Sequence, residues 1–260
     1  MADWNHKQTD NRASTKMSIT IEDIKYDLAL AYRILANEGV LDTFGHVSVR
    51  HPENPDHYFL SRSRAPELVE PGDLIEYDLD SEPVSPSNLP PYSERVIHGE
   101  IYKARPDVMA VCHHHAAAFM PLIVAQTDYT PVVHLGSVGG DSPPWWDQRA
   151  SFGDTNYLVV KPEEGGSLAE ALGEHMMVMM NRHGVTVAGS DLCDLAFRCV
   201  YSCRNAEFQA QASQNGEIDP LSKGDIALGS QEGSLARGHA RAWEHWTVRL
   251  QRNNWLPPKS

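Results

Sequence analysis

The stretch Tyr92–Ala116, YSERVIHGEIYKARPDVMAVCHHHA, is the part of the chain around which the rest is arranged. In it an acidic residue, Glu94, is followed 19 positions later by His113 and, with one residue between, His115. The apolar run Val108–Cys112 leads into the histidines and reads as a buried strand. Successive side chains of a strand point to opposite faces, so His113 and His115 share a face and His114 takes the other. Two neutral imidazoles aimed at one point suit a divalent transition metal, which wants one or two further ligands. Glu94 and His183, the histidine of NRHGV, are the candidates. The competing reading is a chance run at a strand end in a chain of 13 histidines.

On either side of this stretch the pattern is that of an α/β domain. Thr20 and Asp23 open a helix that keeps its apolar interval to Gly39. GHVSVR, with Val47 and Val49 inward, and YFLS make an antiparallel hairpin, and Leu74–Leu79 adds a strand. A helix beginning near Ser93 carries Glu94, His98 and Tyr102 on one side. Residues 116–125 read as a helix and TPVVHL as a strand. Residues 136–154, rich in glycine and tryptophan, read as a lid over the site or a surface loop. NYLVV is a strand, 167–175 a helix, and MMVMM and VTVA strands. Asp191–Ala212 and Leu235–Gln251 are helices. Residues 1–17 are polar and expected to be mobile, leaving 18–260 as one domain.

Composition narrows the function. With 260 residues, 41% of them hydrophobic, the chain can bury a large core. A net charge of −13 argues against a nucleic-acid partner, because phosphate binding needs a basic face. No apolar run reaches the roughly 20 residues of a membrane span, and the N-terminus lacks a signal-peptide core. Four cysteines without a C-x-x-C pair read as reduced thiols in a cytoplasmic protein.

SERVIHGEIY, RPDV, HHH and RHGVTVAG, preceded by GHVSVR, resemble in order the motifs of the class II aldolase/adducin family over roughly residues 20–215. The resemblance implies a three-layer αβα sandwich with a mostly antiparallel central sheet, assembled as a homotetramer with sites at subunit interfaces. It makes His113, His115 and His183 ligands of one divalent metal per subunit. It gives Glu94 a place on that metal or as an acid/base beside it. The metal is Mn²⁺ by preference, with Zn²⁺, Co²⁺ or Fe²⁺ possible.

The departures from the family's sugar-phosphate pattern point to the substrate. His46 stands where those members have an asparagine, Ser63-Arg64 where they have a Thr-Gly pair, and Tyr92 where they have a serine. An aromatic ring and a guanidinium thus replace a compact phosphate cradle. Arginine suits a planar carboxylate, and Tyr92 or Phe44 a flat ring. SRSRAPELV with YSERVIHGEIY resembles the family's aromatic-acid decarboxylases, of the hydroxypyridine-dicarboxylate and dihydroxyphthalate kinds. The expected activity is metal-dependent, non-oxidative decarboxylation of a hydroxylated aromatic (di)carboxylate, with Glu94 or His98 supplying the proton. His46, Ser63, Arg64 and Tyr92 are the expected substrate contacts. The alternatives are an aldolase or epimerase for a small keto acid or sugar phosphate, an iron-dependent oxygenase, and an adducin-like structural domain. The last is expected to lack the full histidine set.

Overall fold

All five residues of Ala110–His114 are buried, because the strand lies mid-sheet with a packed layer on each face. Ala110 and Cys112 face one hydrophobic cluster and Val111 faces another. The computed structural model describes residues 20–229 and 236–259, so the expectation for residues 1–17 lies outside it.

The strands are β1 (His46–Arg50), β2 (His57–Ser61), β3 (Leu74–Asp78), β4 (Ala110–His114), β5 (Trp145–Trp146), β6 (Met177–Met180) and β7 (Gly184–Gly189). They form one sheet in the order β3-β2-β1-β4-β7-β6-β5, antiparallel except for the β5–β6 pair. The helices are α1 (Ile21–Asn37), α2 (Val96–Ala104), α3 (Met120–Ala125), α4 (Gln148–Phe152), α5 (Pro162–Leu172), α6 (Leu192–Ala212), α7 (Lys223–Gly229) and α8 (Ala236–Arg252).

Period-two burial sorts the strands between two cores. Val47, Val49, Phe59, Met177, Met179, Val185 and Val187 pack with the apolar sides of α1, α6 and α8. Tyr58, Leu60, Val178, Met180 and Ala188 pack with α2 and α5. The result is the expected α/β sandwich of three layers. Thr20 caps α1 with a full capping box and Asp191 caps α6, so both long helices start where their sequences place them.

Arg50, at the end of β1, holds the last turn of α2 against the sheet. Its guanidinium donates to the carbonyls of Tyr102 (2.9 Å) and Arg105 (3.0 Å), acceptors at the helix end, and to that of Val108 (3.0 Å) beyond it.

Four expectations are corrected. Residues 136–154 are neither lid nor surface loop throughout. Trp145 and Trp146 pair in parallel with Met179 and Met180 as the sheet edge, and α4 follows. Trp146 is 4% exposed and donates to Ser167 Oγ (3.0 Å), so its indole belongs to the core. TPVVHL forms no strand; its end enters a 3₁₀ helix, His134–Gly139. NYLVV also forms none, although Val159 is fully buried. Finally, α2 begins at Val96, leaving Glu94 in the turn that precedes the helix. Among the described residues no helix is long and apolar enough to cross a membrane.

Candidate metal centre

The centre lies on the α2/α5 face of the sheet, where β4 ends beside the β6–β7 turn. His113 is fully buried on β4, and His115 follows just past the strand. His183 arrives from the three-residue turn 181–183, whose middle residue, Arg182, adopts positive φ (58°). The ring centroids are 4.7 Å (His113–His115), 4.8 Å (His113–His183) and 5.0 Å (His115–His183) apart. One nitrogen from each ring lies within 4.8 Å of the others. His114 points to the opposite face and packs near Phe119, as alternation requires.

The donor set suits a divalent cation. His113 Nε2 and His115 Nε2 are 3.0 Å apart, close to the roughly 3.3 Å between nitrogens that share one tetrahedral ion at about 2.0 Å each. His113 Nδ1 lies 3.1 Å from Thr186 Oγ1, whose hydroxyl donates to Met180 Sδ. Thr186 therefore accepts Nδ1–H and leaves the Nε2 lone pair for a ligand. His183 Nδ1 is buried with no hydrogen-bond partner among the described residues, an orphan that is costly without a ligand or water nearby.

Backbone proximity makes this meeting possible. A Cβ on Gly184 would lie 2.4 Å from the His114 carbonyl oxygen and 2.8 Å from His115 Cδ2. Gly45 has φ +92° and would bring a Cβ to 2.9 Å from the His113 carbonyl. Gly184→Ala is expected to cost about 1–3 kcal/mol of stability through overpacking and to weaken metal binding by displacing His115. Thermal melting and a zinc titration would check both; unchanged zinc affinity would count against this account of the turn.

Glu94 stands at the rim. One oxygen accepts from the Val159 amide (3.0 Å) and lies 3.6 Å from His183 Nε2, and the other lies 3.9 Å from His46 Nε2. Burial pushes its carboxyl up, but contacts with His46, His183 and the Val159 amide outweigh it, so the group sits below the ordinary carboxylate range. The carboxylate is thus held ionised among imidazoles.

The remaining expected residues fall in different places. His46 is on β1 opposite His113, with ring centroids 5.2 Å apart, and Tyr92 lies 4.8 Å from His46. Tyr92 Oη donates to the Arg64 carbonyl, tying the 61–65 loop to the site. Arg64 itself is docked on Asp73 through Nη1, beside Arg62 on the same carboxylate. Ser63 is exposed and its amide donates to the Pro90 carbonyl. Phe44 is also exposed.

His98 requires a correction: it is fully buried, with one ring nitrogen 2.6 Å from His46 and the other 2.6 Å from Ser48 Oγ. It reaches the centre only through His46 and is not placed to hand a proton to substrate. Thr186, Ser48 and Asp73 did not stand out in the sequence. The available signal was a polar residue on a strand, in register with His113 (Thr186) or two residues along the same face from His46 (Ser48).

Burial holds several of these rings neutral. Desolvation lowers His98 and His113 far below the ordinary imidazole range, His114 to about 3 and His183 to about 4. An unfolded chain protonates such rings near pH 6.5, so acid favours the unfolded state. Each such ring weakens the fold progressively below pH 6.5, by at most about 1.4 kcal/mol per pH unit. The metal-free protein is expected to be fully stable above pH 6.5 and to lose its fold as pH falls toward 5. Urea midpoints between pH 7.5 and 5 would show this; a flat profile to pH 5 would contradict it.

With this geometry established, sequence comparison places the chain. The family model for the class II aldolase and adducin N-terminal domain matches residues 26–210. The decarboxylase tropJ of Talaromyces stipitatus is 34% identical over 189 residues, covering 68% of this chain and 71% of that one. The 3,4-dihydroxyphthalate decarboxylase of Arthrobacter keyseri is 28% identical over 239 residues, covering 86% and 92%. Among solved structures, the L-fuculose 1-phosphate aldolase of Glaciozyma antarctica superposes with a TM-score of 0.75 at 21% identity, over 91% of this chain and 92% of that one. The chain belongs to the class II aldolase/adducin family.

Proposed function

We propose that this carbon–carbon lyase is a metal-dependent, non-oxidative decarboxylase of a hydroxylated aromatic carboxylate or dicarboxylate. The observation that carries the reading is a three-imidazole centre walled by His46 and Tyr92, with an ionised Glu94 at its rim. A flat ring can lie along such a wall. The dihydroxyphthalate decarboxylase relative supports the same class of acid.

His113, His115 and His183 would hold the cation, with Glu94 as the fourth candidate. A cation there supplies Lewis acidity toward a hydroxyl or carboxylate oxygen of the substrate. Glu94, resting as a carboxylate, takes the proton of the ring hydroxyl ortho to the departing carboxylate. It then delivers that proton to the ring carbon bearing the carboxylate. Loss of CO₂ leaves its electron pair in the ring and restores aromaticity, and water reprotonates the product's phenolate. No redox partner is consumed. Tyr92 and His46 orient the ring, and Arg64, on a loop tied to Tyr92, faces a second carboxylate where one is present.

CO₂ release from hydroxylated phthalates and hydroxypyridine dicarboxylates, set against aldehyde release from fuculose 1-phosphate and small hydroxy-keto acids, tests the reading. Aldehyde without CO₂ would select the aldolase instead. Arg64→Ala is expected to raise KM at least tenfold more for a dicarboxylate than for its monocarboxylate analogue, since a charge-assisted bidentate contact is lost only for the former. Equal changes would leave Arg64 as the structural partner of Asp73.

The preferred ion is Mn²⁺, though three imidazoles and a carboxylate accept Fe²⁺, Co²⁺ and Zn²⁺ as well. A homotetrameric assembly and a place in aromatic catabolism complete the proposal.

A further inference from the structure

Behind the metal centre, and ending at His46, lies a buried row of polar groups whose other members the reaction above does not use. Tyr102 Oη is 2.7 Å from Ser48 Oγ, Ser48 Oγ is 2.6 Å from His98 Nδ1, and His98 Nε2 is 2.6 Å from His46 Nδ1. The row ends at His46 Nε2, which is buried and has no hydrogen-bond partner among the described residues. That nitrogen faces the rim of the centre, 3.9 Å from Glu94. None of the four residues is more than 2% exposed.

With one hydrogen on each imidazole, a row in which every hydrogen is shared can run in only two directions. In one, Tyr102 donates to Ser48, Ser48 to His98 Nδ1, and His98 Nε2–H to His46 Nδ1, so His46 carries its hydrogen on Nε2. In the other, every bond reverses and His46 Nε2 turns a lone pair toward the site. The reversed row would leave the Tyr102 hydroxyl hydrogen without an acceptor among the described residues and set a lone pair against the Glu94 oxygen 3.9 Å away. The first direction puts an N–H there and satisfies each buried group along the way.

The same geometry decides between a conduit and a clamp. Decarboxylation consumes one proton per turnover, and a conduit must therefore reach water. This row stops at Tyr102, 1% exposed beneath the Arg50 guanidinium (4.7 Å). It can fix a hydrogen in place but cannot keep supplying one.

We infer that Tyr102, Ser48 and His98 are positioning residues that keep a hydrogen on His46 Nε2 and a lone pair on His46 Nδ1, aiming the N–H into the centre as a donor for an anionic oxygen of the substrate. This deepens, and rests on, the reading of this face as the binding site of an aromatic acid. The oxygen concerned is a carboxylate or phenolate oxygen, an acceptor that an N–H holds and a lone pair repels.

The test reads the tautomers directly. Long-range ¹⁵N–¹H spectra of metal-free protein labelled at histidine, assigned with His46→Asn and His98→Gln, are expected to show both rings carrying their hydrogen on Nε2 and none on Nδ1. Protonation of either ring on Nδ1, or a mixture, overturns the inference. Ser48→Ala is expected to turn the single tautomer of His46 into a mixture, and Ser48→Thr, which keeps the hydroxyl, to preserve it. Unchanged spectra in Ser48→Ala would reduce the row to packing and also overturn it. On a substrate that is turned over, Ser48→Ala should raise KM on the order of tenfold with little change in kcat, as outer partners of a site residue commonly do. A loss confined to kcat would reject the donor role. The spectra need no substrate, so failure of every aromatic acid to release CO₂ would sink the decarboxylase and leave the tautomer result standing.

Discussion

Replacing His113 with alanine is expected to empty the centre and abolish turnover. His113 is the buried member of the triad, 3.0 Å from His115 Nε2 and fixed by Thr186 behind it. Its loss leaves two imidazoles, one of them on a turn, and removes the ligand whose tautomer is already set. Chelate sites built from three protein ligands do not survive the loss of their best-ordered one. Bound metal should fall from about one ion per chain to below a tenth after dialysis, and the rate by at least about 10³, of the order that Lewis acid catalysis supplies. Elemental analysis and CO₂ release are to be measured on the same sample. His114→Ala is the control: it faces the other core, so it should lower stability and leave metal content unchanged. A His113→Ala protein that retained stoichiometric metal would remove the foundation of the proposed function.

That result would also show how far the sequence could be trusted. The face shared by His113 and His115 follows from two-residue periodicity, a local rule that needs no tertiary knowledge. The ends of α1 and α6 follow from Thr20 and Asp191 for the same reason: a capping side chain satisfies backbone donors within its own turn. His183 was reachable as a histidine followed by a glycine, although only folding shows why glycine is needed at 184, where His114 and His115 press on the backbone.

What was not legible depends on partners far away in the chain. Trp145 and Trp146 become a strand because β6 offers them an edge, and two β-favouring residues between the turn formers GGDSPP and DQ are too few to announce it. NYLVV has the composition of a strand but lies outside the sheet, and the Val159 amide is spent on Glu94, 65 residues away. Arg64 stands out by its charge, while its partner Asp73 belongs to a separate turn and does not. His98 read as an acid because it sits one turn beyond Glu94. Ser48 and His46, contributed by β1, are what place it behind the site instead.

Glu94→Gln should separate the two roles open to the acidic residue. The substitution keeps the size and an oxygen able to accept from the Val159 amide, but it removes the charge and the ability to carry a proton. If Glu94 moves the proton from hydroxyl to ring carbon, kcat should fall by about 10²–10⁴ while metal content holds near one per chain. If it is chiefly a ligand, metal is lost first and activity recovers as metal is added. The pH profile gives an independent reading. Because contacts with His46, His183 and the Val159 amide outweigh burial, the Glu94 carboxyl is depressed and its ionised form persists below the ordinary range near 4.5. Activity that needs the carboxylate should therefore hold through the ordinary glutamate range for as long as metal and fold, followed on the same samples, are retained. A wild-type acid limb centred at 6 or above with metal and fold intact would assign the step to another group. The same limb surviving unchanged in Glu94→Gln would leave Glu94 with neither the proton nor the charge as its contribution.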